Sequence, residues 1–218
     1  MPNWCSNEVT VTGDEDKLEE FKEYCYGEWY HDKCGRQEIW VVNKDATEAP
    51  YGEYKLNPDY CGEEEFKDSC DKQRHHFSFR SILPLPKELE HTSSPSNIFE
   101  TQEDVDNYLE GLKTEEGFDP KKDYFKSVIA KTMTREYSDH LKKTYGSDNW
   151  YDWSNENWGT KWDASDPFLE DDGWMLRYDF DTAWCPPEPI CHFLRDKFAD
   201  LHISWFYRED GVEIAGYL

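Results

Sequence analysis

The stretch WMLRYDFDT (residues 174–182) alternates strictly between large apolar and polar side chains. Trp174, Leu176, Tyr178 and Phe180 fall on one side, and Met175, Arg177, Asp179 and Asp181 on the other. A period of two predicts a strand with one face buried. Just downstream, Pro186-Pro187 opens a helix, because proline is tolerated in a first turn whose N–H groups have no intrahelical partner. Ile190, Phe193, Leu194 and Phe198 then recur at helical spacing as its buried side. Ile203-Ser-Trp-Phe-Tyr207 reads as the next strand, Glu209-Asp-Gly211 as a turn, and Val212 to Leu218 as a last strand. The C-terminal segment is therefore β-α-β-β.

The N-terminal segment has the same rhythm. Asn7 to Thr12 alternates, with Val9 and Val11 on one face, and Gly13-Asp14 stops the strand and starts a helix. Leu18, Phe21 and Tyr24 or Cys25 line that helix to about Tyr26. Residues 27 to 75 are polar and turn-rich, with Ile39-Trp-Val-Val42 as a strand and Tyr51 to Tyr60 as loop. Phe77-Ser-Phe-Arg-Ser-Ile-Leu83 alternates and ends at Pro84-Leu-Pro86, which predicts a strand leading into a rigid turn. Between about 92 and 150 the pattern is helical. Thr101 with Asp104 resembles a capping box ahead of Val105, Tyr108, Leu109 and Leu112. Asp119-Pro120 then predicts the start of one long helix. Its apolar stripe runs through Tyr124, Phe125, Val128, Ile129, Met133, Tyr137 and Leu141 to Gly146.

Two β-α-β halves predict an α+β fold: a ferredoxin-like antiparallel sheet with helices on one face, plus a helical insertion. The expected organisation is a single domain over residues 1–218. A loop-rich insertion falls at about 27–75 and the helical one at about 92–150.

Composition bounds the function. The 218 residues include 10 Trp, 14 Tyr and 12 Phe, enough rings for a core despite 33% charged residues. The net charge of −24 sets a field that repels phosphates, so direct nucleic-acid binding is disfavoured, as is an anionic membrane surface. The start, MPNWCSNEV, has neither a basic nor an apolar region of the secretory kind, and no apolar run approaches the ~20 residues of a membrane span. The expected location is the cytoplasm of a bacterial host cell, where the seven cysteines would be free thiols.

Five segments carry a resemblance. They are MPNWCSNEVTVTG (from Met1), FSFRSILPLP (from Phe77), ENWGTKWDA (from Glu156), FDTAWCPP (from Phe180) and YREDGVEIAGYL (from Tyr207). Together they resemble a phage- and plasmid-borne family that includes the YubB proteins, of unknown function and described as carrying a ferredoxin-like domain. The resemblance spans both ends of the chain but not residues 27–75 or 88–150. It implies a gene carried by a mobile element, and it implies no catalytic residue.

Candidate site residues come from two of these segments. In ENWGTKWDA, Trp158 and Trp162 are four apart, which puts them on one face of either a helix or a strand. Gly159 permits a close approach. One reading is that both rings fill core space. The other is a binding wall, with Lys161 as the cation and Asn157 and Thr160 as polar anchors, suited to a small anionic nucleotide. In FDTAWCPP, the residues Asp181, Thr182 and Trp184 lie at a strand end ahead of a helix N-terminus, where N–H groups can receive an anion.

Other chemistries have weaker signals. Cys25 and Cys34 are nine apart, as are Cys61 and Cys70, with His31, His75 and His76 nearby. Zinc knuckles use gaps of two to four, so no metal or other cofactor is expected. Cys5, Cys185 and Cys191 with His192 or His202 offer nucleophile–base pairs, but Cys191 and His192 are adjacent on a helix and face apart. No motif for a hydrolase, a zinc protease or a phosphate-binding loop occurs. The expectation is a protein that binds and does not catalyse. Its partner would be a host protein with a basic surface, met by acidity that imitates DNA, or else a small anionic nucleotide.

Overall fold

The computed structural model describes residues 3–32, 38–41, 70–90, 92–114 and 128–218, with backbone alone for residues 28–32, 38–41 and 70–74. The chain divides into two compact units. One comprises residues 1–84 and 158–218, and the other residues 85–157.

The first unit is built on a five-stranded sheet. Its strands are β1 (Trp4–Thr12), β7 (Ser165–Asp171), β8 (Met175–Ala183), β9 (His202–Glu209) and β10 (Ile214–Tyr217), in the order β10-β9-β1-β8-β7. Every neighbouring pair is antiparallel. Helix α1 (Glu15–Cys25) follows β1, and α7 (Glu188–Lys197) follows β8. Within this sheet the order is β1-α1-β7-β8-α7-β9, with residues 26–164 inserted between α1 and β7, and each connection passes one intervening strand. This is the ferredoxin-like arrangement, with β10 added outside β9. The fold is α+β, as the alternation around residues 174–182 predicts.

One face of the sheet is buried beneath the helices. Cys5, Asn7, Val9 and Val11 of β1, with Leu176, Tyr178, Phe180 and Thr182 of β8, point into it. Leu18, Phe21 and Cys25 of α1 and Ile190, Cys191 and Leu194 of α7 meet them there. The core is largely aromatic. Phe77 stacks on Phe180 at 4.8 Å and lies edge-on to Tyr178 at 5.0 Å and to Trp205 at 5.8 Å. Offset and edge contacts of this kind add to burial because ring edges are positive and faces negative.

Helix α1 begins after Asp14, whose side chain makes no cap bond. Glu15 and Asp16 at its N-terminus and Lys22 in its last turn suit the helix dipole. The β7–β8 turn closes through Gly173 at φ 82°, whose N–H donates to Asp171 Oδ1 at 2.9 Å. Trp174 precedes β8 and is exposed, so the alternation holds only from Met175 onward.

Several sequence expectations need correction. Phe77 to Leu83 is not a strand. Residues Phe79–Ile82 form a helical turn (α2), because Ser78 caps Ser81 N–H and the Asp163 carboxylate receives Phe79 N–H and the Ser78 hydroxyl. Phe77 and Phe79 still reach the core, which produced the misleading alternation. The second strand of the sheet's first half is β7, within a stretch where no strand was predicted. The strand at Ile39 belongs elsewhere: β3 (Glu38–Val41) joins β2 (Gly27–Asp32) and β4 (Cys70–His75) in a separate antiparallel sheet of order β3-β2-β4. The loop expected at Tyr51 to Tyr60 lies outside the described residues.

The second unit takes in the segment expected as a helical insertion. It holds the short helix α3 (Lys87–Glu90), β5 (Asn97–Phe99), α4 (Gln102–Lys113), β6 (Thr132–Thr134), α5 (Arg135–Tyr145) and α6 (Trp150–Asn157). The capping box on α4 forms: Thr101 Oγ1 accepts from Asp104 N–H, and the Asp104 carboxylate accepts from Thr101 N–H. The single long helix does not. Residues 132–134 pair with β5 as parallel strands, and Thr134 then caps α5 afresh. The predicted start at Asp119-Pro120 lies outside the described residues. No helix among the described residues is long and apolar enough to cross a membrane.

Candidate functional site

Residues 158–164 form neither helix nor strand, so the four-residue spacing of Trp158 and Trp162 does not put the rings on one face. Trp158 is buried, donates its indole N–H to Leu83 O at 2.8 Å and packs on Phe79. Trp162 is 41% exposed and tilts against Trp4 at 6.2 Å. Lys161 Nζ lies 3.8 Å from the centroid of the Trp162 ring, a cation–π contact at the surface. One tryptophan is thus core and the other is surface.

Gly159 joins this turn to α7. It sits at φ 82°, and an added Cβ would fall 2.7 Å from Pro189 Cδ and 3.2 Å from Glu188 N. No other residue fits both the left-handed backbone and that approach. Thr160 is buried and donates to Ala183 O at 3.0 Å. Cys185 Sγ donates to Gly159 O at 2.9 Å.

The strand end at Asp181 to Trp184 is knitted into the same corner. Thr182 is buried; its hydroxyl accepts from Asn7 Nδ2 at 2.9 Å and donates to Cys185 O at 2.8 Å. Asn7 Oδ1 in turn accepts from the Trp205 indole at 3.1 Å. Asp181 lies on the other face and accepts from Ser6 Oγ at 2.9 Å. Trp184 is 54% exposed in a left-handed conformation (φ 76°), held by its N–H to Asn3 O at 3.0 Å. Asn157 belongs to the second unit, where its amide donates to Trp153 O. Of the predicted residues, Trp158, Thr160 and Thr182 are therefore internal, with their polar atoms in hydrogen bonds. Lys161, Trp162, Asp181 and Trp184 reach solvent.

The helix N-terminus behind Thr182 is poor for anions. Proline within its first turn removes a donor, Glu188 adds a negative charge, and Glu188 N–H is spent on Pro186 O. The thiols are also held protonated. Burial pushes Cys5 and Cys191 up to about 11, and burial raises Cys25 and Cys185 as well. A thiol so placed is a poor nucleophile at neutral pH. Cys191 is buried while His192 is exposed, so they face apart; His202 is exposed too. Among the described residues no group of three His, Cys, Asp or Glu side chains converges as a metal would require. Cys34 and Cys61 lie outside the described residues, as does the Cys70 side chain.

The polar side of the alternation at residues 174–182 is one half of the sheet's second face; what the sequence reading missed is the β1 and β7 residues that lie beside it. Ladder pairs place Ser6 beside Asp181 and Glu8 beside Asp179, while Thr10 lies beside Arg177. Phe168 pairs with Asp179 and Glu170 with Arg177 across β7. Arg177 lies among the central carboxylates, 2.9 Å from Glu8 and 3.4 Å from Asp179. On the outer strands Phe206 and Tyr217 meet at 5.3 Å. The polar half of the alternation in residues 174–182 was the signal for this face.

A second missed cluster lies in the second unit. Asp148 is buried and receives Ser138 Oγ at 2.6 Å, Lys142 Nζ at 2.9 Å, Ser96 Oγ at 2.9 Å and Asn149 Nδ2 at 3.0 Å. Burial alone would raise its pKa. The hydrogen bonds from Ser138, Lys142, Asn149 and Ser96 outweigh that and bring it down to about 2. Its oxygens are saturated by the protein itself, which suits a structural keystone.

Comparisons with known proteins add little. No family model matches the chain, and no curated protein matches it. Among solved structures it is similar to a crystal structure of the protein api92 from Yersinia pseudotuberculosis, of the family DUF1281. The identity is 15% and the TM-score 0.43, over 100% of this chain and 93% of that one.

Proposed function

We propose that this chain works by binding: its acidic surface docks on a basic, nucleic-acid-handling face of another protein and blocks it as a DNA mimic would. The observation that supports this most directly is the uncovered sheet face. Its central and β7 strands present Glu8, Asp179, Asp181 and Glu170 against Arg177, with Arg208 of β9 beside Ser6 as a second cation on the same face. On a body of net charge −24, such a face steers a basic partner into place and gives fast, salt-sensitive association. The resemblance to a phage- and plasmid-borne family makes a host defence protein in the bacterial cytoplasm the partner class we favour.

The test is capture of partners on the immobilised chain at low and high salt, followed by challenge with short duplex DNA. A partner with a basic face, released by salt and displaced by DNA, is the expected result. A partner that stays bound in high salt and ignores DNA would falsify the mimic.

The exposed Trp4–Trp162 pair with Lys161 favours a second reading, in which a small anionic nucleotide stacks there. Quenching of tryptophan fluorescence by nucleotides, lost in Trp162→Ala and Lys161→Ala, would support it. No quenching by any nucleotide would exclude it.

A further inference from the structure

The two edges of the five-stranded sheet are built differently. β7 carries the devices that stop an edge from pairing with a foreign strand: Pro167, charges at Asp166, Glu170 and Asp171, and a register irregularity between Ser165 and Phe168. β10 and the residue after it, Ile214-Ala-Gly-Tyr-Leu218, have no charged side chain and no proline. Ile214 is 45% exposed and Tyr217 is 73% exposed. On a chain of net charge −24 this strand, free of charged side chains and paired on its outer side by no described residue, is a local exception.

Its backbone parity is set by its inner neighbour. Leu218 N–H donates to Trp205 O at 3.0 Å. Bonded pairs alternate along an antiparallel ladder, so Ile214 and Gly216 also turn their backbone groups toward β9. Ala215 and Tyr217 turn theirs outward. The side chains obey a second parity. Ala215 pairs with Arg208 and Tyr217 with Phe206, which puts both on the uncovered face, and Ile214 and Gly216 on the other.

We infer that β10 is the contact between two copies of this chain, paired antiparallel about a two-fold axis at Gly216. In that register Ala215 lies opposite Tyr217 of the partner subunit, and each such pair exchanges both N–H···O bonds. The large ring covers the small methyl, Ile214 faces Leu218 of the partner subunit, and glycine meets glycine at the axis. A two-fold contact must be self-complementary, and this sequence is. A register centred on Tyr217 pairs fewer residues of β10; one centred on Ala215 pairs as many, but it sets Ala215 against Ala215 of the partner subunit and leaves the Tyr217 ring without a small residue to cover. A second copy is the fitting occupant because this edge brings two like-charged chains together with no acidic side chain opposite another among residues 214–218. The nearby Glu209 is buried, its oxygens taken by Gly211 and Val212 N–H. So short an edge gives less than the ~1,200 Å² of a stable interface, so the dimer is weak and concentration-dependent.

Sedimentation of the full chain across protein concentration, in low and high salt, tests this. The expected result is a reversible dimer that strengthens with salt, because screening relieves the repulsion between two acidic bodies. That is the opposite of the salt response of acidic docking. Ala215→Pro removes an outward N–H and keeps the inward bonds, and Tyr217→Lys puts a charge on the edge. Both should give monomers with unchanged circular dichroism and melting. Phe168→Lys, on the opposite edge, should leave the dimer intact. A chain that stays monomeric at millimolar concentration in high salt overturns the inference. So does a dimer that survives both β10 variants, or one that dissolves on Phe168→Lys.

Discussion

On one face of the five-stranded sheet, Val9, Tyr178, Phe180 and Trp205 lie out of water beneath α1 and α7; on the other, Glu8, Arg177, Asp179 and Phe206 lie at least partly open to it. Both faces use the same strands and the same ladder bonds. The difference is carried wholly by side chains of alternating parity. Ring packing holds the first face together, with the Asn7–Thr182–Trp205 hydrogen bonds beside it; the Tyr178 hydroxyl is buried there without a hydrogen-bond partner among the described residues. The second carries charges whose mutual contacts are solvent-exposed and contribute little to folding.

The sharpest way to break this comparison is to truncate an aromatic on each face. Trp205→Ala removes a fully buried ring that touches Phe77 and Phe180 and strands the Asn7 amide. We expect a loss of about 3–5 kcal/mol, read by urea unfolding. Phe206→Ala, next in sequence but on the other face, should cost less than about 1 kcal/mol. Equal losses would mean that the uncovered face is packed after all.

A carboxylate offers the same contrast in pH. Asp148 has its pKa lowered from 3.8 to about 2 by its hydrogen bonds. A depressed carboxylate adds stability that is fully present above its unfolded pKa and disappears as pH falls through the folded one. The second unit should therefore lose about 2 kcal/mol between roughly pH 4 and pH 2. Unfolding of the full chain followed through amide resonances of residues 135–157 measures it. Asp148→Asn should flatten that acid limb. A limb of unchanged steepness in the variant would assign it to other carboxylates.

Asn7 probes the polar atoms on the buried face. Asn7→Ala leaves the Trp205 indole N–H without its acceptor and removes a donor to Thr182. The expected cost is about 1–3 kcal/mol, the desolvation penalty of an orphaned buried group. A smaller loss in thermal unfolding would mean that water or a neighbour takes over those bonds.

How much of this was legible follows the same division. Strict alternation in residues 174–182 predicted β8 and its two faces, because only a half-buried strand needs that period. The helices behind Asp14 and Pro186-Pro187 were readable from their start signals and apolar spacing. Phe77 to Leu83 misled because a strand and a capped turn can both send Phe77 and Phe79 inward. The deciding group, Asp163, is more than 80 residues away in sequence. β7 was silent because an edge strand bearing Pro167 and three acidic residues has no apolar period to read. At the candidate site, spacing could not separate Trp158 from Trp162, since the turn between them hinges on the left-handed Gly159. The Asn7–Thr182–Cys185 network, joining both ends of the chain, has no local signal at all.

Arg177 gives the smallest effect on folding and the most direct view of the uncovered face. Its guanidinium sits between Glu8 and Asp179, with about 40% of each side chain exposed. Exposed pairs of this kind contribute about 0–1 kcal/mol, so Arg177→Gln should leave the melting temperature almost unchanged. It also removes the one cation among the central carboxylates. If the face receives a basic protein, association should become faster and tighter at low salt and converge with the unaltered chain at high salt. The reversal Asp179→Lys should do the opposite without unfolding the sheet. A destabilisation of several kcal/mol by Arg177→Gln would instead show that the ion cluster is part of the fold. Unchanged binding in both variants, with stability intact, would move the docking site to another acidic surface, of which the outer side of α1 with Glu15, Asp16, Glu19 and Glu20 is the next to test.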